Sequence, residues 1–195
     1  AAYRKWGSPE QVEQGGVNAL TELYVRFHKE AETDPALEDE GRLWFKKIED
    51  GDPEALRIFN KFKEITLKDA QRVYDMLGVQ FDSYAGESFY NDKMQPVIDE
   101  LREKGLLKES QGAYVVDLED EGMPPCLILK KDGATLYATR DLAAAFYRKK
   151  TYDFYKDLYV VAYQQDLHFR QWFKVVEKMG YDWSKDLEHV AFGMV

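Results

Sequence analysis

The chain has 195 residues, of which 45% are hydrophobic, 32% charged and 14% aromatic, with a formal charge of −9. This balance excludes an intrinsically disordered chain and suits one good core, or one domain carrying an inserted module. No apolar run approaches the ~20 residues that span a bilayer, and an acidic surface is a poor electrostatic platform for nucleic acid, which needs clustered Lys and Arg.

The amino end, Ala1 to Trp6, lacks the apolar stretch of a signal peptide, so a cytoplasmic location is expected. Helical signals then dominate. Leu20, Leu23, Tyr24, Phe27 and Ala31 recur at three- and four-residue steps and predict a helix over 17–31. Leu43, Trp44, Phe45 and Ile48 predict a second, short one. Asp52 before Pro53 is an N-cap followed by proline in the first turn, with Leu56, Ile58, Phe59 and Phe62 as the apolar side. Thr66 to Asp69 resembles a capping box, opening a helix through Val73, Tyr74 and Leu77 that Gly78 closes. The acidic stretch 29–54 reads as a solvated face.

Residues 79–82 read as a short strand. Gly86 to Tyr90 forms a loop whose aromatics pack down on a surface. A helix with Met94, Val97, Ile98 and Leu101 on one side follows, ending at Gly105. Residues 113–118 and 126–129 predict two strands of a small meander, with the turn Asp132-Gly133 leading to Leu136, Tyr137 and Ala138. Cys126, the single cysteine, excludes an internal disulfide and reads as a small core residue.

From residue 135 the pattern alternates: strand 135–138, helix 141–150, strand 157–163, helix 167–179 and strand 187–195. Short strands joined by helices of this length predict parallel pairing through right-handed crossovers. The chain lacks an initial methionine and stops within the apolar run Phe192 to Val195, so it reads as a piece of a longer protein.

No glycine-rich dinucleotide fingerprint, P-loop or nucleophile motif occurs. His28, His168 and His189 have no partners at a zinc-site spacing, so no bound metal is expected. In open α/β sheets ligands dock beyond the carboxyl ends of the strands, and Tyr137, Asp141 and Gln165 are predicted to lie there. A tyrosine, a carboxylate and an amide suit a cationic, hydrogen-bonding small molecule. Asp141 alone reads as a helix cap, Gln165 alone as a loop residue, and His168 as either site lining or packing. Arg140 is a surface charge or a partner for a distant acid, and Asp166 is positioned to cap the following helix.

The run Thr135 to Ala144, then Tyr159 to Gln165 with His168 and Phe169, then His189 to Val195, resembles the later catalytic core of the arginyl-tRNA synthetases. Trp44-Phe45, Gly51-Asp52, Phe81-Asp82 and Gly86-Glu87-Ser88-Phe89-Tyr90 are similar to the same family in the same order, so the likeness spans nearly the whole chain. The resemblance implies an α/β fold: a Rossmann-like parallel-sheet fragment of a class I synthetase catalytic domain with a mainly helical inserted connective module. It implies three segments: a helical part with the start of the insertion (1–78), the rest of the insertion with its meander (79–134), and the second half of the core (135–195). It assigns Tyr137, Asp141 and Gln165 to the arginine substrate, and His168, Gly193, Met194 and Val195 to ATP or to the pocket lining. It also implies ATP as substrate, Mg2+ in the full-length enzyme, tRNA(Arg) as partner and a monomer away from membranes.

The family's His-Ile-Gly-His-like and Lys-Met-Ser-Lys-Ser-like motifs are not in these residues. Lys178-Met179-Gly180 followed by Trp183-Ser184-Lys185 has the wrong spacing. No catalytic residue is therefore expected here, and the piece alone is expected to be inactive. A class I core of another amino-acid specificity, or a non-catalytic α/β binding module, remains an alternative.

Overall fold

The computed structural model describes residues 1–130 and 133–193. The chain divides into two compact units, Ala1–Tyr84 and Ala85–Val195.

The first unit is helical throughout. It contains α1 (Ala2–Trp6), α2 (Pro9–Ala31), α3 (Ala36–Glu49) and α4 (Pro53–Leu77). α2 starts earlier than the apolar spacing predicts, because Ser8 caps it by accepting the Gln11 N–H at 3.1 Å. The signal is masked by Gly16, which sits at φ 55° inside the helix and breaks its regular geometry. Asp52 caps α4 as predicted, its carboxylate accepting the Ala55 N–H at 2.9 Å. The predicted second start at Thr66 is not used: the Thr66 hydroxyl donates back to the Phe62 carbonyl at 2.9 Å, and one helix runs on to Gly78. Gly78 ends it in the left-handed region at φ 67°. Residues 79–82 form no strand; Phe81 packs edge-on against Tyr74 and Tyr84 instead.

The second unit is α/β. A 3-10 turn, Glu87–Lys93, leads into α5 (Met94–Glu103), then β1 (Leu107–Ser110), β2 (Ala113–Val116) and β3 (Cys126–Lys130). These three strands make an antiparallel sheet in the order β1-β2-β3. β1, mostly exposed and polar, carries no apolar alternation and was not legible in the sequence. α6 (Tyr137–Tyr152), β4 (Asp157–Ala162), α7 (Asp166–Lys178) and β5 (Leu187–Phe192) follow. β4 and β5 pair in parallel, Asp157 opposite Leu187 through Ala162 opposite Phe192, as the alternation predicts.

The predicted strand 135–138 is replaced by a helix start. Thr135 makes one antiparallel bridge to Leu129, and the Leu136 N–H donates to the Ile128 carbonyl at 3.1 Å. The buried Thr139 hydroxyl donates to that same carbonyl at 2.5 Å. The segment is thus tied to β3 and not to the parallel sheet. Three apolar residues are too few to distinguish a period of 2 from one of 3.6, and the alanine-rich sequence behind them favours helix. The Asp132 half of the predicted turn lies outside the described residues.

One core unites these elements. Leu101 of α5, Leu118, Ile128 of β3, Leu142 of α6, and Trp172, Val175 and Val176 of α7 are all buried in it. The opposite face of the parallel pair is apolar and open, with Leu158 and Val160 53% and 65% exposed. Among the described residues no helix is long and apolar enough to cross a membrane.

Candidate functional site

α6 begins at Leu136, which offers no side-chain cap, and Asp141 lies in the helix beyond its first turn. Capping therefore does not account for Asp141. Its carboxylate instead meets α7: Asp141 Oδ2 lies 2.6 Å from His168 Nε2, with the side chains 36% and 28% exposed. Among the described residues no Lys or Arg lies within ion-pair distance of this carboxylate. The adjacent Arg140 turns elsewhere, its Nη1 3.2 Å from Glu87 Oε2, so it is the partner of a distant acid and not a free surface charge. One negative charge thus remains beside an imidazole, partly open to solvent.

Tyr137 is one helical turn before Asp141, on the same face, and the residue is 73% exposed. It sits at a helix start and not at a strand end. Gln165 lies at the end of the 3-10 turn Tyr163–Gln165 that continues β4, in the N-cap position of α7, and is exposed. The contact between Asp141 and His168, across 27 positions of sequence, brings the starts of α6 and α7 together. Tyr137, Asp141 and Gln165 therefore occur on or beside two helix starts, one of them at the carboxyl end of a parallel strand.

Asp166 is the first residue of α7 but makes no capping bond; its carboxylate lies 3.5 Å from His189 Nδ1. His189 Nε2 donates to the Val161 carbonyl at 2.9 Å, and its ring stacks on Phe169 at 4.3 Å between centroids. This histidine is thus locked in packing between β4, β5 and α7. Gly193 is exposed just past β5. Met194 and Val195 lie outside the described residues.

Behind the site, Cys126 is buried, and burial, reinforced by the Asp141 charge, pushes its thiol up to about 12. It is a core residue and no nucleophile at neutral pH. The loop 86–90 packs as the sequence predicts, Phe89 and Tyr90 meeting Tyr147 of α6 at 5.1 and 5.8 Å. The pairing of Glu87 with Arg140, 53 positions apart, had no local sequence signal.

A family model described as tRNA synthetases class I (R), catalytic domain, matches residues 1–195. The chain belongs to this family of class I tRNA synthetases. An arginine–tRNA ligase of Alkaliphilus metalliredigens is 60% identical over 194 residues, covering 100% of this chain and 34% of the relative. One from Clostridioides difficile is 61% identical over 194 residues, again 100% of this chain and 34% of the relative. The chain therefore spans about a third of the length of these curated relatives. Among solved structures, the arginyl-tRNA synthetase of Plasmodium falciparum superposes with a TM-score of 0.70 at 26% identity, over 82% of this chain and 29% of that one. The Thermus thermophilus enzyme gives 0.74 at 18% identity, over 98% and 38%, a likeness of fold.

Proposed function

We propose that this chain is the central part of the catalytic domain of an arginine–tRNA ligase and carries the pocket for the arginine side chain. Asp141 is its anchor, Tyr137 a wall with a hydroxyl, and Gln165 a further hydrogen-bonding group. The observation that carries this reading is a carboxylate at paired helix starts that faces a histidine and no Lys or Arg among the described residues. A guanidinium is planar, always charged, and best met by a carboxylate that accepts two parallel N–H bonds. Asp141 offers that group, and among the described residues no Lys or Arg competes for it.

In the full-length enzyme an arginine carboxylate oxygen attacks the α-phosphorus of ATP. The bond to pyrophosphate breaks, leaving arginyl-adenylate, and a hydroxyl of the terminal ribose of tRNA(Arg) then takes the arginyl group and releases AMP. The contribution of these residues is positioning: they hold the guanidinium end so that the far carboxylate reaches the phosphate. Mg2+ is proposed to accompany the ATP in the full-length enzyme. His168, Gly193, Met194 and Val195 are assigned to the pocket lining or the ATP side. The segments 1–78, 79–134 and 135–195 are assigned, in order, to the helical part with the start of the connective insertion, the rest of that insertion, and the second half of the core. The enzyme is proposed to act as a monomer.

The test is Asp141→Ala in the full-length ligase, assayed by arginine-dependent ATP–pyrophosphate exchange with tRNA(Arg) present. Loss of a charge-assisted bond worth about 1.5 to 3 kcal/mol lowers kcat/KM for arginine by more than about tenfold. An unchanged kcat/KM rejects Asp141 as the anchor.

A further inference from the structure

The Asp141 carboxylate is already held before any substrate arrives. A side-chain carboxylate on an isolated helix rotates freely about its last bond, and a guanidinium must then find it in one orientation and freeze it. Here His168 Nε2 lies 2.6 Å from Oδ2, a short distance characteristic of a charge-assisted bond. An ionised carboxylate only accepts, so Nε2 carries the hydrogen in either protonation state of the ring. His168 is in turn placed by α7, in which the next residue, Phe169, is buried and stacked on His189. The buried Trp172 follows one turn later.

The arrangement leaves the carboxylate usable. Two carboxylate oxygens have about four acceptor directions, and one N–H from His168 occupies a single direction on Oδ2. Among the described residues no other side chain engages this carboxylate, which leaves Oδ1 and the second direction on Oδ2 for the two parallel N–H groups of a guanidinium. A Lys or Arg in place of His168 would also hold the carboxylate, but with a permanent positive charge beside it. Arg140, the nearest cation in the sequence, is drawn to Glu87 instead.

We propose that His168 is a positioning residue for substrate recognition: its Nε2–H fixes the plane of the Asp141 carboxylate from α7 and presents the remaining acceptor positions to the guanidinium. It acts through Asp141 and contacts neither ATP nor the reacting carboxylate of arginine. The proposal rests on Asp141 being the guanidinium anchor.

The experiment is steady-state ATP–pyrophosphate exchange by the full-length ligase, with tRNA(Arg) present and arginine and ATP varied separately. The variants are Asp141→Ala, His168→Gln, His168→Asn, His168→Leu and the double variant Asp141→Ala with His168→Leu. Glutamine places an amide N–H near the position of Nε2, whereas asparagine ends about one bond short. His168→Gln is therefore expected to keep an arginine KM near that of the unaltered enzyme. His168→Asn and His168→Leu raise it by about tenfold, with the KM for ATP and kcat unchanged. The double variant is no worse than Asp141→Ala, because one interaction cannot be lost twice.

The Gln and Asn pair keeps the test decisive if Leu disturbs folding, since both are polar and similar in size. An unaltered arginine KM in His168→Asn overturns the proposal. So does a rise confined to the KM for ATP, equal damage from Gln and Asn, or additive loss in the double variant. If Asp141→Ala alone leaves the arginine KM unchanged, the pocket reading itself falls and the role of His168 falls with it. If Asp141→Ala raises the KM while His168→Asn does not, the pocket stands and only the positioning role is lost.

Discussion

Asp141 exerts its charge in two directions: outward, toward the open site, and inward, where it helps to hold the thiol of Cys126 protonated. The inward effect is measurable. The folded thiol keeps its proton until about pH 12, whereas an unfolded cysteine releases it near 8.5. The folded state thus binds more protons than the unfolded one in that range. Its contribution is fully present below about pH 8.5 and is lost as pH rises toward 12. Tyr181, which burial and then Glu100 push up to about 12, adds a loss of the same sign above about pH 10. The urea midpoint of the chain is therefore expected to fall between about pH 8.5 and 10, and to fall less steeply in Cys126→Ala. Equal slopes for the two proteins would count against a raised thiol. At this scale the sequence was informative about residue type and silent about partners. Cys126 in its apolar run reads as core, and Asp141, Tyr137 and Gln165 stand out by chemistry. That His168 meets Asp141 and Glu87 meets Arg140 was not legible, because 27 and 53 residues separate the partners and only the folded chain brings them together.

Among the elements, α4 shows how a local signal survives or fails. The Asp52 cap is legible and used, since the Ala55 N–H in the first turn has no carbonyl partner within the helix and takes the Asp52 carboxylate instead. Asp52→Ala is expected to destabilise the first unit by about 1 kcal/mol, while Asp52→Asn, which retains an acceptor, costs only a few tenths. Thermal unfolding followed by far-ultraviolet circular dichroism distinguishes the two; equal losses would show that the cap contributes nothing. The Thr66 signal fails because a capping residue inside a continuous helix can return its hydroxyl to the carbonyl one turn earlier, which leaves the helix unbroken. The break at Gly16 had the opposite effect, hiding the first turns of α2 from a search for periodicity. The misread strand at 135–138 has a third cause. Its backbone pairs once with β3 and then winds, a choice made by the Ile128 carbonyl and the buried Thr139 hydroxyl, neither of which local spacing reveals. The parallel pair was legible because the apolar run Leu158 to Ala162 and the short segment Val190 to Phe192 flank a strongly amphipathic helix.

The whole chain, 195 residues long, covers 34% of the Alkaliphilus relative and contains neither a His-Ile-Gly-His-like nor a Lys-Met-Ser-Lys-Ser-like motif. Purified alone, it is expected to give no arginine-dependent ATP–pyrophosphate exchange with or without tRNA(Arg), while the full-length ligase does. Exchange above the enzyme-free background would reject that expectation. The fold class was open to reading from the alternation of elements, and the family from several motifs in register. What joins them into a site was not, because it depends on how the antiparallel meander meets α6. The Ile128 carbonyl accepts from both Leu136 and Thr139, and thereby sets the rotational phase of that helix. At 3.6 residues per turn, a slip of one residue would swing Asp141 by about 100°. The meander supplies none of the proposed pocket residues, yet it works as an index pin: a one-residue insertion between Thr139 and Asp141, or deletion of Arg140, would redirect the pocket's anchor while leaving every pocket residue in the sequence.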